Sequence, residues 1–323
     1  MFPDSVLAAP PPPTDRTSGL RRWLVHGGCL FATFLATTFF GGWHYAAFLA
    51  DFGQPPPSLT HSDPEFWLGG LWFSISVLGI LGAHEAGHYV ACRRYGVDAS
   101  LPYFLPAPLP LSGTFGAFIR IRDVIPDKRA LFDIGAAGPF AGFVVAVPLL
   151  VLGLWLSRLV PMPEHLEMIA LGRPLIHQAA QYALWGALPD GQLLHLHPVA
   201  RAAWFGLLAT ALNLFPLAQL DGGHVAYAVV GPKARWITLT TAAAIIGLTI
   251  ISTSWIAWAI LAVVVLTAAG PSHPPTANDG LPLGARRTLL AVAAAIVFVL
   301  CFTPAPVEPI ERLGRLTTPV APR

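Results

Sequence analysis

Two histidines four residues apart, with a glutamate beside the first, stand near the end of a strongly apolar stretch. The motif is His84-Glu85-Ala86-Gly87-His88, within residues 66–91, FWLGGLWFSISVLGILGAHEAGHYVA. On a helix, positions 84 and 88 project from one face, so both imidazoles can close on a single zinc ion. Glu85 then lies beside the metal, placed to take a proton from a water that the metal activates rather than to ligate. Ionisable groups inside an apolar span are costly and are kept for function. This spacing therefore reads as a metal site rather than as a chance cluster.

A catalytic zinc takes three protein ligands and keeps one position open. Asp221 is the best-placed third. It lies in an apolar run, residues 198–231, that is broken in the middle by Asn213-Leu214-Phe215-Pro216 and then carries Asp221-Gly222-Gly223-His224. A proline frees a backbone carbonyl, and an aspartate in lipid needs a partner. His224, one helical turn on, stays open as a ligand or as a polar neighbour. Asp133, close to Lys128 and Arg129, reads as a helix-start charge. His26 and His44 belong near the ends of a first apolar helix, and His165, His177, His195 and His197 fall in an outer loop where solvation is expected. Cys29, Cys92 and Cys301 have unrelated spacings and read as packing residues within or beside apolar segments.

The elements that must position these groups are membrane helices. Hydrophobic residues make up 54% of the 323-residue chain and charged residues 11%, and the mean hydropathy is +0.61. That balance describes an integral membrane protein in a lipid bilayer, and the net charge of +2 speaks against nucleic acid as a partner. Apolar runs able to span about 30 Å fall at residues 23–50, 66–91, 131–157, 198–230, 235–269 and 287–303. The fifth exceeds one span, and Ser252-Thr253-Ser254 offers a turn near its middle. The expected fold is an all-α polytopic bundle of six or seven transmembrane helices. Seven is preferred, because a cytoplasmic N-terminus then puts Arg16, Arg21, Arg22, Arg93, Arg94, Lys128, Arg129, Lys233, Arg235, Arg286 and Arg287 on the cytoplasmic side. The opposite side receives most loop acids, among them Asp51, Asp63, Glu65, Glu164, Glu167 and Asp190. His88 would lie five residues before Arg93, about 8 Å along the axis, buried but near the cytoplasm.

Residues 99–126 are not an ordinary span. Pro102, Pro106, Pro108 and Pro110 exclude a helix, and Gly113-Thr114-Phe115-Gly116-Ala117-Phe118-Ile119-Arg120 suits a short strand or hairpin. With both ends cytoplasmic, this segment is expected to dip into the membrane as a loop or β-hairpin and return, with a plain cytoplasmic loop as the alternative. Residues 1–22 read as a disordered Pro-rich cytoplasmic tail, 23–304 as one transmembrane domain with its core at 66–231, and 305–323 as a short tail. The first run is too long for the h-region of a cleavable signal peptide.

The two motifs together resemble the site-2 protease family of intramembrane zinc metalloproteases. That family's second motif, Asn-x-x-Pro-x-x-x-x-Asp-Gly, is met by Asn213, Pro216, Asp221 and Gly222. Gly113-Thr114-Phe115-Gly116 and Gly138-Pro139-Phe140-Ala141-Gly142 resemble family segments more loosely, as does the stretch from His273-Pro274-Pro275 to the last helix. The resemblance implies one zinc per chain held by His84, His88 and Asp221, Glu85 as general base, and Asn213 steadying the substrate or its oxyanion. The outer loop, residues 158–196, is too short for the PDZ module of certain members. Nothing after residue 270 is long enough for the nucleotide-sensing domain of others.

The expected function is hydrolysis of a peptide bond within or at the edge of a transmembrane segment, in single-span or remnant membrane proteins, as in regulated intramembrane proteolysis. An unwound substrate strand would add to the extended edge near residues 113–121. The competing classes are an inactive metal-binding scaffold or chaperone, which has no use for Glu85, and an ion transporter, for which an inverted repeat is the missing sign. The expected location is a bacterial inner membrane, with a plastid membrane second.

Overall fold

The computed structural model describes residues 16–50, 59–162 and 169–309. The segments 1–15 and 310–323 of the expected tails, and the loop acids Asp51, Glu164 and Glu167, lie outside the described residues.

Helices α1 (Arg16–Leu49), α2 (Pro64–Arg94) and α3 (Lys128–Trp155) form the first half of the bundle. α2 starts on Asp63 in extended conformation, with Pro64 and Glu65 in its first turn, and ends on Arg93 and Arg94. Each of those charges matches the helix dipole, and proline's missing N–H costs nothing at a helix start. α3 starts on Asp127, whose carboxylate accepts from the backbone N–H groups of Arg129 (2.8 Å) and Ala130 (2.9 Å). α2 and α3 lie at the centre, packed against α1 on one side and against α5 (Pro198–Leu214) and α6 (Asp221–Val230) on the other.

The run at 198–231 resolves into two elements. α5 ends two residues before Pro216, and α6 begins at Asp221. After Gly231, at a φ of 63°, a 3-10 turn leads into α7 (Ala234–Ile251). Ser252 ends α7, and its hydroxyl accepts from the Ser254 N–H at the start of the turn into α8 (Ile256–Ala269). α9 (Ala285–Cys301) closes the chain against α3 and α5, where Ala146, Leu150, Leu154, Ala203, Leu207 and Cys301 form a buried cluster. Cys92 and Cys301 are buried and all three cysteines are free.

By length and composition, four helical segments among the described residues can cross a membrane: Arg21–Leu49, Pro64–Arg94, Lys128–Trp155 and Asp221–Ile251. The protein is a mostly helical membrane protein. Between α2 and α3, β1 (Tyr103–Pro106) pairs antiparallel with β2 (Thr114–Phe118), Tyr103 opposite Phe118. This ladder lies along α1.

One expectation is overturned at the far end. His165 lies outside the described residues, and the other three loop histidines are not solvated: His177 is 2% exposed, His195 3% and His197 6%. β3 (Arg158–Pro161) pairs with β5 (Gln192–His195), β4 (Ile169–Leu171) pairs with the last strand, β6 (Val307–Pro309), and α4 (Leu175–Trp185) packs beside α3. The loop thus folds down over Phe48 and Trp72, whose rings contact His195 and His197. Burial, with Arg173 nearby, pushes His177 down to about 4, so its ring is neutral. His26 and His44 are also buried, each held by a carbonyl of the 102–111 segment.

Candidate metal centre

Three side chains from two distant parts of the chain meet at one point. His84 Nε2 lies 3.1 Å and His88 Nε2 3.2 Å from Asp221 Oδ2. The two Nε2 atoms are 3.0 Å apart. Two ligands about 2.0–2.1 Å from one tetrahedral ion stand roughly 3.3 Å apart. The Nε2 atoms of two imidazoles and a carboxylate oxygen converge on one point. That donor set fits a divalent cation, and zinc above all. Among the described residues these three form the group able to hold a metal.

The surroundings set the geometry. His88 Nδ1 donates to the Ile134 carbonyl at 2.7 Å, which leaves Nε2 free to ligate. α3 can supply that carbonyl only by coming very close. A Cβ on Gly138 would stand 2.1 Å from His88 Nε2, and one on Gly142 3.3 Å from His84 Cβ. The sequence motif Gly138–Gly142 is therefore a floor for both histidines. Its small-residue spacing on a helix was the available signal, and the spacing alone did not say what would lie on it.

Asp221 is brought in by the break after α5. Pro216 prevents α5 from continuing, and the chain turns through Ala218 at a φ of 47°. α6 then packs so tightly on the turn that a Cβ on Gly222 would meet the Leu214 carbonyl at 2.1 Å, and one on Gly223 the Ala218 carbonyl at 2.1 Å. This accounts for the two glycines that follow the aspartate.

Glu85 is buried, 4% exposed, and lies beside the backbone of Ile119, just past β2. Asn213, in the last turn of α5, points its Nδ2 at His84 Nε2 from 3.5 Å. The structure thus brings together all five residues singled out in the sequence. His224 does not join the group. Its Nδ1 bonds His273 Nε2 at 2.7 Å instead. Asp133 also stays out, accepting from Arg287 at 2.9 and 2.8 Å and from the Tyr95 hydroxyl.

The family model for peptidase family M50 matches residues 72–254, from within α2, ahead of its histidine motif, to the turn after α7. The chain belongs to peptidase family M50. This is the site-2 protease family that the motifs resemble. The chain is 32% identical over 267 residues to "Probable zinc metalloprotease EGY1, chloroplastic" of Arabidopsis thaliana, covering 80% of this chain and 47% of that protein. It is 33% identical over 180 residues to "Probable zinc metalloprotease EGY2, chloroplastic" of Oryza sativa subsp. indica, covering 54% and 32%. It is 29% identical over 247 residues to "Probable zinc metalloprotease EGY3, chloroplastic" of Oryza sativa subsp. japonica, covering 70% and 41%. The chain thus spans half or less of the length of these curated relatives. No solved structure matches it.

Proposed function

We propose that this chain is an intramembrane zinc endopeptidase, hydrolysing a peptide bond within or beside a transmembrane segment of single-span or remnant membrane proteins. One observation carries the reading: His84, His88 and Asp221 converge inside a bundle of apolar helices, with the Glu85 carboxylate beside them. In this reading the three side chains hold one zinc per chain. Bound there, zinc supplies Lewis acidity, lowering the pKa of a water from 15.7 toward about 7. Glu85 accepts the proton of the attacking water and returns it to the leaving amine. Asn213 donates its amide N–H to the substrate carbonyl oxygen as charge develops there. A scaffold has no use for Glu85 at this position, and a transporter has no use for a base aimed past the ligands.

The substrate must be extended, because a helical carbonyl is shielded by its own hydrogen bond. β2 supplies an edge, being paired on one side only, and the exposed rings of Phe115 and Phe118 lie along it. The reading includes a hairpin that dips into the membrane. His26 of α1 contacts the Pro102 carbonyl at 3.1 Å, and His44 contacts the Leu111 carbonyl at 3.0 Å. These histidines are eighteen positions apart on one helix, about 27 Å along its axis. A segment that keeps pace with α1 over that distance reaches most of the way across a core of about 30 Å.

With α5, α8 and α9 added to the longer helices, the bundle has seven crossings and a cytoplasmic N-terminus, supported by the placement of Arg94, Lys128 and Arg287 at one end. The single transmembrane domain expected over 23–304 then takes in residues 16–22 of α1 and the strand Val307–Pro309, which pairs with Ile169–Leu171. The chloroplastic relatives lend weight to a plastid membrane, and the bacterial inner membrane expected first has no support among them.

The purified protein in detergent, given a single-span substrate, tests the activity. Chelation should abolish cleavage, and one equivalent of zinc should restore it. Cleavage that persists after the metal has been stripped below stoichiometry contradicts the proposal.

A further inference from the structure

The chain between α8 and α9, residues 270–284, takes no part in the chemistry above, yet it touches α6, which carries Asp221, and the entry to α3, which supports His88. His273 Nδ1 donates to the Pro274 carbonyl at 2.6 Å, so its Nε2 is the acceptor for His224 Nδ1–H at 2.7 Å. His224 is one turn beyond Asp221 on α6. The His273 ring stacks on Tyr227, one turn further, with centroids 4.7 Å apart and 27° between planes. The Tyr227 hydroxyl donates to Asp279 at 2.6 Å, and the other oxygen of Asp279 accepts from the Thr276 hydroxyl at 2.6 Å. The segment therefore grips α6 at two successive turns.

Its other edge lies on the chain that enters α3. The Ala277 N–H donates to the Ile125 carbonyl at 3.0 Å and the Asn278 N–H to the Pro126 carbonyl at 2.9 Å. Arg129 Nε adds a bond to the Pro282 carbonyl at 2.8 Å. α3 holds His88 through the Ile134 carbonyl. Asp221, by contrast, sits on the first residue of a helix of only ten residues. A helix that short does not hold its own position and depends on what packs against it.

We infer that residues 273–282 form a strap that fixes α6, and with it Asp221, against His84 and His88, and that His273 is its main positioning residue for the metal. The inference rests on reading His84, His88 and Asp221 as the zinc site. It adds that the aspartate is set in place from outside the two motifs, by hydrogen bonds that run His273 to His224 and Asp279 to Tyr227.

Zinc affinity of the full chain in detergent, measured by competition with a chromophoric chelator, tests it. The visible spectrum of the cobalt-loaded protein and the unfolding temperature of the metal-free protein are read alongside. His273→Ala should weaken zinc binding by up to roughly tenfold, the lower end of the effect of removing a direct partner of a ligand. It should shift the cobalt bands and leave the metal-free unfolding temperature unchanged. His273→Gln, whose amide oxygen can accept from His224, should recover most of the affinity. Tyr227→Phe removes a single hydroxyl and should lower affinity by a smaller factor in a folded protein. Wild-type affinity and spectrum in His273→Ala and Tyr227→Phe overturn the strap. So does an affinity loss that only tracks a loss of metal-free stability and that His273→Gln does not recover. Wild-type zinc affinity in Asp221→Ala would instead remove the zinc reading itself, and the strap with it.

Discussion

The proposed role of Asn213 as a donor to the substrate carbonyl rests on the reach of one amide. Its Nδ2 stands 3.5 Å from the atom of His84 that faces Asp221. The N–H groups at the start of α6, which follows the break, receive no side-chain hydrogen bond, so Asn213 does not cap that helix. Asn213→Asp should therefore keep its zinc and lose turnover by about a hundred- to a thousandfold, the cost of one lost oxyanion donor. A zinc-replete Asn213→Asp enzyme with near-normal turnover would sink the donor role. Gly138 offers a second test at this scale. A methyl group there would stand 2.1 Å from His88 Nε2, whereas Gly79 on α2 has nothing within 4 Å of an added Cβ. Gly138→Ala should drive His88 off its carbonyl, cost about 1–3 kcal/mol of overpacking, and lower zinc content well below one per chain. Gly79→Ala should do neither, and full zinc content in Gly138→Ala would show that α3 moves aside.

Among the elements, the β1–β2 hairpin sets the architecture most. It leaves α2 and returns to α3 on one side of the bundle, while its tip lies beside His44, far along α1. Cysteines placed at Arg94 and Lys128 should both react with an impermeant maleimide from the same face, and one at Leu111 should be protected from that face. Reaction of Arg94 and Lys128 from opposite faces would mean that the segment crosses, and the dipping hairpin would fail. The prolines and Gly113 make the non-helical character legible from sequence. How far the segment runs along α1 is not, because that is set by two carbonyl contacts to histidines whose partners are 76 and 67 residues away. The outer loop misleads for a similar reason. Polar residues around His177, His195 and His197 read as solvated, but α4 and the β3–β5 ladder fold them against aromatic rings of α1 and α2. Local composition does not report such long-range closure.

At the scale of the whole molecule, the site was legible because its chemistry is confined to two short motifs with fixed spacing. His84, Glu85 and His88 needed only a helix, and Asp221 needed only the proline break before it. What could not be read was what holds them together: the glycine floor on α3, where an ordinary packing motif has the same spacing, and the contacts of residues 273–282, which come from loops with no pattern of their own. Helix count was similarly blurred, since the run at 198–231 divides into α5 and α6 while α6 leads through Gly231 toward α7.

The central claim is that a membrane-buried zinc site with Glu85 as its base cuts peptide bonds, and replacing that one carboxylate tests it most directly. Glu85→Gln keeps the size of the side chain and leaves His84, His88 and Asp221 untouched. Cleavage of a single-span substrate and bound zinc should be measured on the same purified sample. The account predicts one zinc per chain and a rate lower by roughly a hundred- to ten-thousandfold. A zinc-loaded Glu85→Gln protein that cleaves at the wild-type rate would contradict it.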